Sequence, residues 1–377
     1  MKYLKYQILI SLVGTLFLAL QPSSLYLANP NVSSSVKVSN NSNNKPEYIT
    51  IKAVGDIVAG TNFPDYRLPR NPNQLFPQAV RDQLKNSDIL FGNYESTLTN
   101  HPYSTKDTSR GMVFAFRSPP EYAKLFSQVG FDVMSVANNH SMDFGQVGFQ
   151  DTIKNLNAVG VKTVGAKNQI LYTKVKNIPV AWIGFCFYSY CNTVQDIEKG
   201  KALVKQAQQK AKIVIVSMHV GAEGNDALNI RNQTEYFYGE NRGNSILFAR
   251  SMVDAGADLI LGHGPHVPRA MEVYKGKLIA YSLGNFLGYK TFSTTGAKGD
   301  SLILDAKLNQ DGDFISGKIT SIRLDKTGIP QVDKSGQTVN LVRTLTKRNL
   351  PNSKISINQK GEINIFGEGV ARKNSSK

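Results

Sequence analysis

Apolar residues along the chain recur with two periods, and the alternation between them predicts the architecture. Runs of three to ten buried-type residues (Ile51–Val54, Asp88–Phe91, Val133–Ala137, Ile178–Phe187, Ile213–Ser217, Leu259–Leu261) read as strands covered on both faces. Between them, a 3.6-residue periodicity predicts helices over Gln74–Lys85, Pro120–Val129, Val147–Ala158, Asp196–Ala211 and Asn244–Ala255. Strands alternating with helices define an α/β fold. Leu278–Ser282, Ser301–Leu308 and Phe314–Leu324 alternate more strictly around the turn signal Asp311-Gly312, which predicts antiparallel hairpins. Residues 326–377, with weak strand-like alternation at Lys354–Ile357 and Glu362–Phe366, read as a basic C-terminal appendage to a body spanning 48–325.

The N-terminus follows a different pattern. Lys2 and Lys5 precede an apolar run from Ile8 to Leu20, broken only by Ser11, Gly14 and Thr15, and Pro22 ends it. At about 1.5 Å per residue the run covers roughly 20 Å, short of a ~30 Å hydrocarbon core. Residues 1–30 are therefore expected to direct export, either cleaved as a signal peptide or retained as an anchor. Residues 31–47 are rich in Ser and Asn and read as a flexible linker.

Composition narrows the classes further. The 377 residues are 41% hydrophobic and 19% charged, which excludes a disordered chain and a coiled coil. Two cysteines exclude a four-cysteine zinc module. Cys186 and Cys191 flank Phe-Tyr-Ser-Tyr, where a disulfide and two buried thiols both fit. The net charge is +16, and residues 318–377 hold twelve Lys and Arg against four Asp and Glu. Such a surface suits an anionic polymer or envelope, or serves solubility alone. Nucleic acid is not expected as a partner, because no recognition module is present and the chain is expected to leave the cytoplasm.

The histidines carry the chemistry. Four of the five (His140, His219, His263 and His266) fall where strands run into polar residues, and only His101 lies elsewhere, in a polar loop. Asp56, Glu95, Asp143 and Glu223 lie at the same strand ends, which is where α/β sheets bind ligands. Imidazole, carboxylate and amide oxygen without thiolate suit a divalent Mn, Fe or Zn ion, one or two in number. No Gly-x-Ser-x-Gly elbow precedes a helix, and no Walker or dinucleotide glycine pattern follows the first strand.

Taken in order, Ala53-Val54-Gly55-Asp56, Asn93-Tyr94-Glu95, Ala137-Asn138-Asn139-His140 with Asp143, His219-Val220-Gly221-Ala222-Glu223, Gly262-His263-Gly264-Pro265-His266 and Tyr281-Ser282-Leu283-Gly284-Asn285-Phe286 resemble the CapA family of bacterial capsule and poly-γ-glutamate synthesis proteins. That family is similar to the calcineurin-like metallophosphoesterases. The resemblance implies a four-layer sandwich, two mixed β-sheets face to face with helices outside. It further implies attachment to the cell envelope and partners among membrane-embedded polymer synthase components, with an anionic polymer or phosphoester as substrate. By motif, Asp56 takes the first metal-ligand position and Asn93 or Glu95 the bridging one. Asn139 is a ligand beside the acid or charge stabiliser His140, and His219, His263 and His266 complete the shell. Glu223 joins His140 as a catalytic candidate, and Asp143 and Asn285 are candidate substrate contacts. Val58 stands where metallophosphoesterases have a histidine two residues after the first Asp, and the final His-x-His is stretched by one residue, so one ion and two both remain open.

Overall fold

The computed structural model describes residues 48–366. The expected signal segment and the Ser/Asn-rich linker lie outside the described residues. Among those described, no helix is long and apolar enough to cross a membrane.

Two mixed sheets form the centre. In the first, Tyr48–Val58 pairs in parallel with Ile89–Tyr94 and with Asn285–Gly288, and antiparallel with Asp300–Asn309. Val133–Ser135 and Lys162–Val164 extend it on one side, and Phe314–Leu324 on the other. In the second, Ile178–Cys186, Ile213–His219, Leu259–His263 and Lys277–Ala280 run parallel, with Leu171–Val175 and Met271–Tyr274 antiparallel at the edges.

Burial shows how the layers stack. Strand side chains alternate between faces, so Ile213 and Ile215 join Ile49, Ile51 and Ala53 in a core between the sheets. Phe91 of the first sheet stacks on Trp182 of the second at 5.5 Å and 10°. The opposite faces meet helices. Val54, Ile57 and Leu90 pack against α1 (Gln78–Leu84), α2 (Ala123–Val129) and α3 (Gly145–Ala158). Val214, Val216 and Met218 pack against α4 (Ile197–Gln208) and α5 (Ser245–Asp254). This is the helix–sheet–sheet–helix sandwich that the family resemblance implies.

The differences are local and have physical causes. The helix expected over 74–85 is split into a 3-10 turn at Pro72–Leu75 and α1, because Pro77 holds extended backbone between them. Asp196 and Asn244 cap their helices by accepting from Lys199 N at 3.1 Å and Leu247 N at 3.0 Å, so these helices begin one residue later than expected.

The expected appendage is not one. Pro330–Val332 and Glu362–Ile365 pair with Phe314–Leu324, and Ile355–Ile357 pairs in turn with Glu362–Ile365. The helix α6 (Gln337–Asn349), which the sequence reading did not foresee, buries Val339 and Val342 in the inter-sheet core. Residues 326–366 thus continue the body rather than decorate it.

Candidate metal centre

The site is built where the parallel strands of both sheets end. Asp56 lies opposite Asn93 and Asn285 on its two parallel neighbours. Across the sandwich, His219 lies opposite His263. Two lateral rows of polar side chains, one per sheet, therefore face a common space. Glycine permits the close approach: a Cβ at Gly55 would overlap the carbonyl oxygen of Gly284, which instead accepts from Asp56 N at 2.9 Å.

Glu95 is the hub. One atom, Oε1, lies 3.7 Å from His266 Nε2, 3.8 Å from His219 Nε2 and 4.0 Å from His140 Nε2. Asp56 supplies the second carboxylate, with Oδ1 3.4 Å from His263 Nδ1 and Oδ2 3.2 Å from His266 Nδ1. Donor atoms of Asp56, Glu95 and His219 all fall within 4.8 Å of one another.

Buried polar atoms normally find hydrogen-bond partners. Among the described residues, both carboxylate oxygens of Glu95, Oδ1 of Asn139, Nε2 of His219 and both ring nitrogens of His263 have none. An orphaned set of carboxylate, amide and imidazole donors fits a divalent transition ion, whose bonds would replace the missing hydrogen bonds.

The charge states in the metal-free cluster are set by burial and by the groups acting on one another. Burial favours the neutral form of His219 and holds its pKa well below the ordinary value, which leaves an imidazole able to ligate. Burial also raises Glu95 well above the usual carboxylate range. The same burial opposes ionisation of Asp56, but the His263 and His266 rings, 3.4 and 3.2 Å away, carry it well below that range. At His266 burial works against the charge, yet Glu95, Asp56 and Glu223 together push the ring up to about 10. His266 also sits in the left-handed region at φ 59°, an unusual conformation for a non-glycine residue and one that collects at functional sites.

A second group surrounds His140. Its Nδ1 meets Asp143 Oδ2 at 2.8 Å, and its ring packs on Phe116 at 4.5 Å. Asp143 also accepts from Phe116 N at 2.7 Å and pairs with Lys106 Nζ at 2.6 Å. Lys106 further donates to the Asn139 carbonyl at 3.1 Å.

The model of the bacterial capsule synthesis protein PGA_cap matches residues 50–290. The chain belongs to that family. It is 30% identical over 321 residues to the PGA biosynthesis protein CapA of Bacillus subtilis (strain 168), covering 80% of this chain and 78% of that one. It is likewise 30% identical over 294 residues to the capsule biosynthesis protein CapA of Bacillus anthracis, covering 71% and 66%. Among solved structures it is similar to a 5'-nucleotidase precursor from Thermus thermophilus, at 14% identity and TM-score 0.43 over 80% of this chain and 59% of that one.

Every candidate site residue of this capsule-synthesis family member lies inside the matched span, and the structure separates those that converge from those held by neighbouring groups. Asp56, Glu95, His219, His263 and His266 converge. Asn93, expected as a ligand alternative to Glu95, has its amide engaged: Nδ2 donates to Asp56 Oδ1 at 2.8 Å, and Oδ1 accepts from Asn138 at 3.1 Å. Asp143 and Asn285, expected to face substrate, are buried and hold the histidines instead. Asp143 orients His140, while Asn285 Oδ1 meets His266 Nδ1 at 2.8 Å. Glu223 reaches His266 at 3.7 Å through Oε2, but its Oε1 is paired with Arg242 at 2.7 Å. One carboxylate oxygen is thus committed to Arg242 and the other faces His266. His101 stands apart, packed on Tyr103.

Three residues around the site were not singled out from the sequence. Asn138 was visible in the Asn-Asn-His string. Lys106 and Arg242 lie in irregular segments with no local signal, and only the folded chain brings them to Asp143 and Glu223.

Proposed function

We propose that this capsule-synthesis family member is an exported, envelope-associated protein of poly-γ-glutamate-type polymer synthesis or export whose strand-end centre binds one or two divalent Mn, Fe or Zn ions. The carrying observation is Glu95: a buried carboxylate without a hydrogen-bond partner, ringed by three imidazole nitrogens. In this reading Asp56, Glu95, Asn139, His219, His263 and His266 hold the metal, and Asn93 is their scaffold. A bound divalent ion supplies Lewis-acid polarisation of a phosphoryl or carbonyl oxygen.

The chain's own residues do the rest. His140, with Nδ1 donating to Asp143, turns Nε2 toward the centre, where it can give or take a proton at a substrate oxygen. Arg242 neutralises Glu223 beside His266, so that an anionic substrate does not meet an unpaired carboxylate there. Phe116 and Phe292 cover His140 and His266 at 4.5 and 4.8 Å and restrict water at that side. The reaction assigned is hydrolysis or transfer at a phosphoester or within the polymer, alongside membrane-embedded synthase components.

The basic surface favours a second reading, in which the same centre and its surroundings hold an anionic chain for a synthase without turning it over. Incubation of the Mn²⁺-, Fe²⁺- or Zn²⁺-loaded protein with poly-γ-glutamate and with phosphomono- and phosphodiesters separates the two. Turnover lost on chelation supports the enzyme. Polymer binding with no turnover under any metal supports the scaffold.

A further inference from the structure

The chain's two cysteines serve none of the roles assigned so far, yet they stand directly behind the site. Cys186 and Cys191 form a disulfide, with Cα atoms 5.9 Å apart. Both are buried, and they pack against Ala137, the residue immediately before Asn138-Asn139-His140. The bridge closes a loop of four residues, Phe187-Tyr188-Ser189-Tyr190, whose three aromatic side chains reach Asn138, His219 and the Glu240–Arg242 pair.

Tyr190 donates its hydroxyl to the carbonyl of Asn138 at 2.8 Å, and the Asn138 amide in turn holds Asn93 at 3.1 Å. Phe187 packs toward His219 with centroids 6.0 Å apart, and it also carries the Arg242 guanidinium on its face at 4.2 Å. Arg242 is the partner of Glu223. Tyr188 hydrogen-bonds Glu240, which also pairs with Arg242. One short loop thus fixes the turn bearing Asn139 and His140, the His219 ring, and the Arg242–Glu223 pair.

In an open loop each of these residues would lose backbone freedom on being ordered. The covalent closure removes much of that freedom before the metal site forms.

We infer that the Cys186–Cys191 loop is a positioning element of the metal centre, so that the centre reaches full metal affinity only when the two cysteines are joined. The inference rests on the metal-centre reading above. It ties the site to oxidising surroundings, where such bridges persist.

The test is titration of the full chain with Mn²⁺ and Zn²⁺ in four forms: oxidised wild type, wild type reduced and freed of reductant under anaerobic conditions, Cys186→Ala/Cys191→Ala, and Tyr190→Phe. Reduction adds two electrons and two protons to the bridge to give two thiols, with a phosphine reductant oxidised to its oxide and water supplying the oxygen and both protons. Loss of supporting interactions around a metal site costs about 10–100-fold in affinity. The reduced and double-alanine forms are expected to fall in that range. Tyr190→Phe keeps the bridge and removes one hydroxyl, so it is expected near the lower end with the melting temperature of the chelated protein unchanged. The visible bands of Co²⁺-loaded Tyr190→Phe should shift, which a merely structural role would not produce. If the double-alanine chain fails to fold, Tyr190→Phe decides. Equal affinity and an unshifted spectrum for Tyr190→Phe, or equal affinity for the reduced chain, overturn the inference while leaving the metal centre intact. Absence of binding by oxidised wild type overturns the metal-centre reading itself.

Discussion

Asp143 Oδ2 stands 2.8 Å from Nδ1 of His140, and that contact turns Nε2 toward Glu95, 4.0 Å away. The same Oδ2 accepts from Phe116 N, so the carboxylate is the acceptor and Nδ1 carries the proton. Burial lowers the His140 pKa, Asp143 raises it and Lys106 lowers it again, with a net fall below the ordinary histidine value. A neutral ring with Nε2 free is the outcome near neutral pH.

His140→Ala is therefore expected to cost about 10²–10⁴-fold in turnover while leaving metal content largely intact. Asp143→Asn should fall between wild type and His140→Ala, since it weakens orientation without removing the ring. Hydrolysis undiminished in His140→Ala would remove this residue from the chemistry.

Above the ordinary histidine range, where His140 and His219 are neutral folded or unfolded, the metal-free protein should lose stability as pH rises. His266 binds its proton more tightly folded, with a pKa of about 10 against an ordinary 6.5. Its contribution is complete below 6.5 and is lost as pH climbs toward 10. Glu95, also raised, acts in the same direction from its unfolded value upward. Thermal melts of chelated protein across pH 6.5 to 10 should show a falling melting temperature, and His266→Ala should flatten that fall. A melting temperature that rises over this window in the chelated wild type would contradict the charge assignment.

The fold changes what is expected of the basic tail. Deleting 341–377 would remove Val342, Leu345, Ile355, Ile357 and Ile363, all buried, and each lost apolar side chain of this kind costs about 2–5 kcal/mol. The deletion should unfold the chain rather than merely weaken polymer binding. Replacing Arg343, Lys347, Arg348 and Lys354 by Gln leaves the core alone and removes the charge. Co-sedimentation with poly-γ-glutamate should then weaken at low salt. Binding by wild type should also fall as salt rises, because exposed charge is screened within about 10 Å at 0.1 M. Indifference to both changes would reduce the charge to a solubility feature.

Much of the site was legible because it is built on strand ends. Asp56, Glu95, His219 and His263 each follow a short apolar run, and parallel strands deliver such ends to one side of a sheet. What could not be read was side-chain commitment. Nothing local to Asn93 says that its amide will be held between Asp56 and Asn138. Nothing near Lys106 says that it will reach Asp143, 37 residues on. The missed helix α6 has a different cause. It begins after Gly336 in a left-handed conformation with no capping side chain, and its inner face mixes Thr338 and Thr346 with Val339, Val342 and Leu345. Its helical period is blurred by hydroxyls, and its start carries no signal. The disulfide was open at the sequence level because a spacing of five residues does not decide between a bridge and two thiols.

The central claim is that the strand-end cluster is a metal centre, and elemental analysis of the purified chain tests it most directly. Wild type is expected to carry at least one divalent transition ion per chain. A Glu95→Ala/His219→Ala double variant is expected to carry none, and chelation should lower the melting temperature of wild type alone, because a ligand bound only by the native state stabilises it. Metal content and chelator response indistinguishable between wild type and the double variant would contradict the account.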